Sequence, residues 1–209
     1  MLTSVRVPVP LAPAFEMAQA MVRRAFSDIE LAPEQGTIRI NGERYVLVRA
    51  DSLYLGWFTA LQAVFGHKAA TGFVYSTARE IGRNDCTAFA EKLGLSEGLS
   101  RLATGPIHFA HAGWAFVEIF PDSAPATDDT FFLHYSHPNT FETEVLRARG
   151  RESEGGACLF SAGYSAGWCS AAFGLELHAR EIRCLASGGA RCEFIMAPEP
   201  KLDGYAQRL

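Results

Sequence analysis

The chain predicts an α/β fold of the α+β kind, with mixed helices and an antiparallel sheet in a single domain and a metal-clasped hairpin at its C-terminal end. Three observations lead there. Helical spacing alternates with strand-like alternation in blocks along the 209 residues, and 48% hydrophobic residues suffice for a substantial core. Gly36 to Arg49 contains two alternating runs joined by Asn41-Gly42, a strong short-range hairpin signal. Four of the five cysteines fall between Cys158 and Cys192, with Glu181 among them.

In order, residues through Pro13 are extended and Ala14 to Phe26 is helical, with Phe15, Ala18, Met21, Val22 and Ala25 on one side. After the hairpin, Ser52 to Phe65 carries a helical stripe of Leu53, Trp57, Ala60, Leu61 and Val64, and His67 reads as its C-terminal cap. Ala69 to Leu93 forms one or two more helices, in which Cys86 is an ordinary free thiol. Leu95 to Thr104 is a short helix or loop. Gly105-Pro106 announces a change to strands, over Ile107 to Phe120 and Thr130 to His137, around the loop Pro121 to Asp129. Thr140-Phe141-Glu142 begins a helix or continues a strand, and Arg147 to Gly156 is a loop.

Gly155 to Leu175 is uncharged, yet it is too rich in Gly, Ser and Ala for a membrane span and reads as a buried helix. Gly163 and Gly167, four apart, suit close packing or a ligand equally. Leu177 to Arg183 and Cys192 to Met196 are the final two strands, joined by a tight reversal at Ser187-Gly188-Gly189. Pro198 and Pro200 end the compact part, and 201–209 suits the start of a linker helix.

Three thiolates and a carboxylate can close a tetrahedron around zinc, so the cysteine-rich stretch reads as a structural metal site. Glu181, Cys184 and Cys192 are brought together by the turn. Spacing alone leaves Cys158 and Cys169 as equal candidates for the fourth ligand. A net charge of -4, with no lysine and arginine run, argues against a nucleic-acid surface. An odd number of cysteines without a secretory leader indicates a reducing, cytoplasmic setting.

No phosphate loop, dinucleotide fingerprint, nucleophile elbow or His-Glu-x-x-His pair occurs, which weighs against an enzyme. His108, His111, His134 and His137 fall on the predicted strands, where alternation places His134 opposite His137. They fit hydrogen-bonded core residues better than a catalytic set. Phe109, Trp114, Tyr135 and their aromatic neighbours suit either a core or a small-molecule pocket.

Cys158, Gly163-Tyr164, Gly174 and Glu181-x-x-Cys184-x7-Cys192 together resemble the 4-vinyl reductase domain as it occurs in the aromatic-sensing N-terminal domain of XylR- and DmpR-like transcriptional activators. The likeness runs from about Leu31 to Pro198. It implies a dimeric α/β sensor that binds a small aromatic effector beside a zinc held by Cys158, Glu181, Cys184 and Cys192. It also implies a pocket drawing on Phe109, Trp114, Tyr135, His137, Tyr164 and Trp168, an N-terminal arm (1–30) available for dimerisation, and an output domain joined through 199–209. Phe109 and His137 stand where the phenol sensors carry His and Trp, so the resemblance implies an effector other than phenol. Stand-alone relatives imply a second possibility, a tetrapyrrole 4-vinyl reductase, for which this chain shows no hydride-donor motif.

Overall fold

In a computed structural model, which describes residues 1–153 and 155–209, the chain is α+β, with seven α-helices, a five-stranded sheet and a three-stranded sheet. Helix α1 (Ala12–Ser27) buries Phe15, Ala18, Val22 and Ala25, largely the predicted stripe. Strands β2 (Ile29–Ala32), β3 (Thr37–Ile40) and β4 (Glu43–Tyr45) form the small antiparallel sheet. Asn41 (φ 51°) and Gly42 (φ 80°) supply the paired left-handed residues of a two-residue hairpin turn. The hairpin is shorter than predicted. A 3-10 turn at Pro33–Gln35, closed by left-handed Gly36, stops β3 at Thr37, so Val46, Leu47 and Val48 have no strand to pair with and lie exposed.

A π-helical stretch, Ser52–Trp57, leads into α2 (Phe58–Phe65) and, across Gly66 (φ 76°), α3 (His67–Leu93), a single long helix. His67 therefore opens a helix instead of capping one, and its Nδ1 pairs with the Gln62 amide at 2.7 Å.

Helix α4 (Gly98–His111) corrects the expectation of a strand after Gly105-Pro106. Pro106 removes one backbone donor from the helix, yet Leu102, Ala103, Ile107 and Phe109 are all buried along it, and their burial outweighs the local break. His108 and His111 are thus helical, and only Val117–Ile119 (β5) of the predicted strand is extended.

The large sheet has the order β1-β5-β6-β8-β7, from β1 (Val5–Arg6), β6 (Leu133–His137), β7 (His178–Arg183) and β8 (Cys192–Ala197). It is antiparallel except where β1, inside the supposed arm, pairs parallel to β5. Helix α5 (Phe141–Ala148) is N-capped by Thr140, whose Oγ1 accepts from the Thr143 N–H at 3.1 Å. Helix α6 (Leu159–Phe173) is the buried small-residue helix. On the outer face of β6 and β8, Phe132, Ile195 and Ala197 pack under α7 (Leu202–Ala206). His134 also lies outward, between Asp122 (2.8 Å) and Glu193 (2.9 Å), opposite His137 as alternation requires.

Helices α3 and α6 meet backbone to backbone. A Cβ on Gly163 would lie 2.3 Å from the Tyr75 carbonyl oxygen, one on Gly167 1.8 Å from that of Arg79, and one on Gly82 2.1 Å from that of Tyr164. Close packing is what these glycines serve. Among the described residues, no helix is long and apolar enough to cross a membrane.

Candidate functional site

Two buried places stand out because they hold polar atoms that nothing satisfies. Among the described residues, the buried side-chain nitrogen and oxygen atoms without a partner are Glu181 Oε1, the Tyr135 hydroxyl and both ring nitrogens of His137. Each such atom costs about 1–3 kcal/mol if nothing pairs with it.

The first place is the end of the final hairpin. Cys158 immediately precedes α6, Glu181 lies on β7, Cys184 ends the run out of β7, and Cys192 begins β8. The reversal is a 3-10 turn, Leu185–Ser187, in which Gly188 is left-handed and the Gly189 N–H donates to the Cys184 carbonyl at 2.8 Å. One ligand atom from each of Cys158, Glu181, Cys184 and Cys192 lies within 4.8 Å of the other three. The Cys158 and Cys192 sulfurs are 3.5 Å apart and those of Cys192 and Cys184 4.0 Å. A zinc tetrahedron with Zn–S of about 2.3 Å has S···S edges of about 3.8 Å, so these spacings suit a shared metal and are far too long for disulfides.

The surrounding groups fit a cation as well. The Cys158 N–H donates to Glu181 Oε2 at 3.0 Å, aiming the carboxylate and leaving Oε1 for another partner. The Leu185 N–H points at the Cys192 sulfur from 3.4 Å. Burial, with the adjacent Cys184 thiolate, raises the Glu181 carboxyl to about 8, because negative groups crowd together here without a counter-charge. The four residues therefore form a cluster able to hold a metal ion. Cys169 is elsewhere, buried on α6 with Cys86 near it on α3, two thiols that spacing had kept apart.

The second place is an apolar cavity of about 30 Å³ between α4, α6 and the inner face of the large sheet. Phe109, Tyr135, Tyr164 and Trp168 line it. Trp114 and His137 stand just behind this wall: Trp114 packs on Phe109 (5.5 Å between ring centroids) and Tyr164 (5.1 Å), and His137 on Phe109 (5.5 Å) and Tyr135 (5.3 Å). Sequence reasoning missed Leu102, Pro106, Ser165, Cys169 and Met196, which are among the other lining residues. Leu102 and Pro106 were missed because the expected break at Gly105-Pro106 divided the helix that places them on one wall with Phe109. The signal for Cys169 was its place one turn after Ser165, which also lines the cavity.

Burial lowers the His137 pKa to about 3, so its ring is neutral, with one nitrogen donating and the other accepting. The Tyr135 hydroxyl faces Ser165 without forming a hydrogen bond. His108 has no free nitrogen, since Tyr164 and Tyr45 take both, and His111 Nδ1–H donates to the Ile107 carbonyl at 2.9 Å. His137 is therefore the histidine with free hydrogen-bonding capacity beside the cavity.

A five-stranded sheet with α4 and α6 on its inner face and α7 on its outer face, an apolar cavity between the inner layers and a cysteine–glutamate cluster at the last hairpin make up the architecture. One solved structure that it resembles is the phenol-responsive sensory domain of the transcription activator PoxR with phenol, at a TM-score of 0.76 and 19% identity, covering 93% of this chain and 95% of that one. No family model matches the chain, and no curated protein matches it in sequence.

Proposed function

We propose that the chain is a non-enzymatic effector-sensing domain. It binds a small aromatic or apolar molecule in the cavity beside Phe109, Trp114, Tyr135, His137, Tyr164 and Trp168, and regulates an output domain joined through 199–209. The observation that carries this reading is the unpartnered Tyr135 hydroxyl in a largely apolar, aromatic wall, with the two unpartnered ring nitrogens of His137 directly behind it. Such a site recognises a ring by shape and fixes it with one or two polar contacts. The shared fold with a phenol-responsive sensory domain supports the same reading.

A cavity of about 30 Å³ is smaller than the ~150 Å³ that takes benzene, so binding requires the lining to move. A conformation with an opened lining would bind better than this one, which is the differential affinity a sensor needs. In this reading zinc is held by Cys158, Glu181, Cys184 and Cys192, and once bound it supplies a closed four-coordinate staple with no position for substrate. The staple fixes Cys192 at the start of β8, two residues before Phe194, whose ring packs 4.6 Å from that of His137. The domain acts in the cytoplasm and, with its net charge of -4, without touching nucleic acid itself.

Homodimerisation belongs to the same proposal. Its support is α2, which carries no charge, has no buried residue, and leaves Val64 and Phe65 73% and 58% exposed. Val64→Glu is expected to shift the protein toward monomer in light scattering; an unchanged mass would remove α2 from the interface.

Effector binding is tested by thermal shift with a panel of monocyclic aromatics, half carrying a hydroxyl or amino group. The polar half should raise the melting temperature most, and His137→Phe should weaken their binding roughly tenfold while sparing the apolar half. If no compound shifts the melting temperature of the metal-loaded protein, the sensing reading fails.

A further inference from the structure

Leading away from the cavity wall, four polar side chains from four separate elements form one hydrogen-bonded line. Tyr164 on α6 donates its hydroxyl to Asp85 Oδ2 on α3 at 2.8 Å. Its oxygen also lies 3.1 Å from His108 Nδ1 on α4, and His108 Nε2 lies 3.3 Å from the Tyr45 hydroxyl at the end of β4.

The direction of each bond follows from valence. A phenol has one proton, and Tyr164 gives it to a carboxylate, so from His108 it must accept; Nδ1 is therefore protonated. A buried neutral imidazole then presents a lone pair at Nε2, and Tyr45 must donate to it. The line runs Tyr45 → His108 → Tyr164 → Asp85, with every donor used once. His108 is held in place by rings on several sides, from Phe26, Phe89 and Trp168.

The two ends of this line differ in firmness. Tyr164 is 2% exposed, lines the cavity and stacks on Phe109 at 5.1 Å. The small sheet at the other end is thinly attached: of β2, β3 and β4 only Ala32 is buried, and the strand after Tyr45 runs into the unpaired, exposed Val46–Val48. Among the described residues, its polar side-chain ties to the helices are Lys92, which reaches the Asn41 carbonyl and Glu43, and this hydrogen-bonded line, while the Tyr45 ring packs on Phe26.

We infer that Tyr45, His108 and Asp85 are positioning residues for the cavity wall, and that their hydrogen bonds make the β2–β4 sheet the element that registers where Tyr164 stands. This rests on the reading of the cavity as the effector site. An occupant that forces Tyr164 and His108 apart breaks their contact, frees Tyr45 and loosens the small sheet, so the signal leaves the pocket through the β2–β4 sheet as well as along β8.

Hydrogen–deuterium exchange of the metal-loaded, effector-free chain tests the coupling without any ligand. Tyr164→Phe removes one hydroxyl from the buried end. It should speed exchange of the amides in 37–45 about three- to tenfold, the worth of one hydrogen bond. Tyr45→Phe should do the same, and the double variant should be no faster than either single one, since both cut the same line. Unchanged exchange in 37–45 for Tyr164→Phe, or a double variant whose effect is the product of the two, overturns the inference. Should Tyr164→Phe fail to fold, His108→Phe, which keeps a ring and removes both bonds, replaces it with the same expected and overturning results. Because no effector is present, this outcome is independent of the thermal-shift panel. A loosened sheet with no binding compound would keep the hydrogen-bonded line and discard the sensing reading.

Discussion

Cys184→Ser and Cys192→Ser are each expected to yield a chain that holds no zinc and does not fold, whereas Cys169→Ser keeps both metal and fold. Structural zinc contributes on the order of 10–16 kcal/mol in zinc-finger peptides, comparable to or greater than the whole 5–15 kcal/mol stability of an ordinary domain. Here the metal would also remove a standing penalty, because three thiols and a carboxyl are buried within 4.8 Å of one another. Losing one thiolate leaves the others with neither a complete tetrahedron nor water. Cys169 is buried too, but its neighbours are cavity walls, so serine there costs about 1–3 kcal/mol of polar burial and no metal. Metal analysis alongside circular dichroism decides this: wild type should carry about one zinc per chain. A metal-free protein that is fully folded would remove the staple altogether, and loss of metal in Cys169→Ser would mean the wrong fourth ligand.

Gly167→Ala is expected to destabilise the protein by about 3 kcal/mol or more, against the usual helix preference. In an open helix position the same change is favourable by about 0.5–1 kcal/mol. At Gly167 the added methyl would stand 1.8 Å from the Arg79 carbonyl oxygen, a backbone atom that moves only if α3 moves. Gly72→Ala, on α3 with nothing within 4 Å of the new methyl, is the control and should be neutral or stabilising. Urea midpoints of the two variants should therefore move in opposite directions. A mild effect at Gly167 would show that the helices can separate without losing the core.

The features visible in the sequence were those encoded locally. Asn41-Gly42 announces its own turn, and Glu181 with Cys184 and Cys192 announces the side-chain cluster because the turn between them is short. The long helical stripes and the buried small-residue helix were legible for the same reason. What stayed hidden depends on distant partners. Cys158 joins Glu181 from 23 residues away, and nothing in its surroundings distinguishes it from Cys169 except a family resemblance. Strand β1 is two residues that find β5 across more than half the chain. Gly105-Pro106 looks like a stop signal, and only the burial on either side of it explains why α4 runs on. That misreading also put His108 on a strand, where its partners Tyr45 and Tyr164 could not be foreseen.

The glycine contact between α3 and α6 has a mechanical corollary for the cavity. Tyr164 and Trp168 sit on α6 within a turn of Gly163 and Gly167, whose backbone already touches α3, so their wall has no slack behind it. The facing wall is α4, where Pro106 lines the same space and leaves one helical hydrogen bond unmade. Any enlargement therefore proceeds asymmetrically, with α6 as the anvil and α4 as the compliant jaw that bends about Pro106 and carries His108 with it.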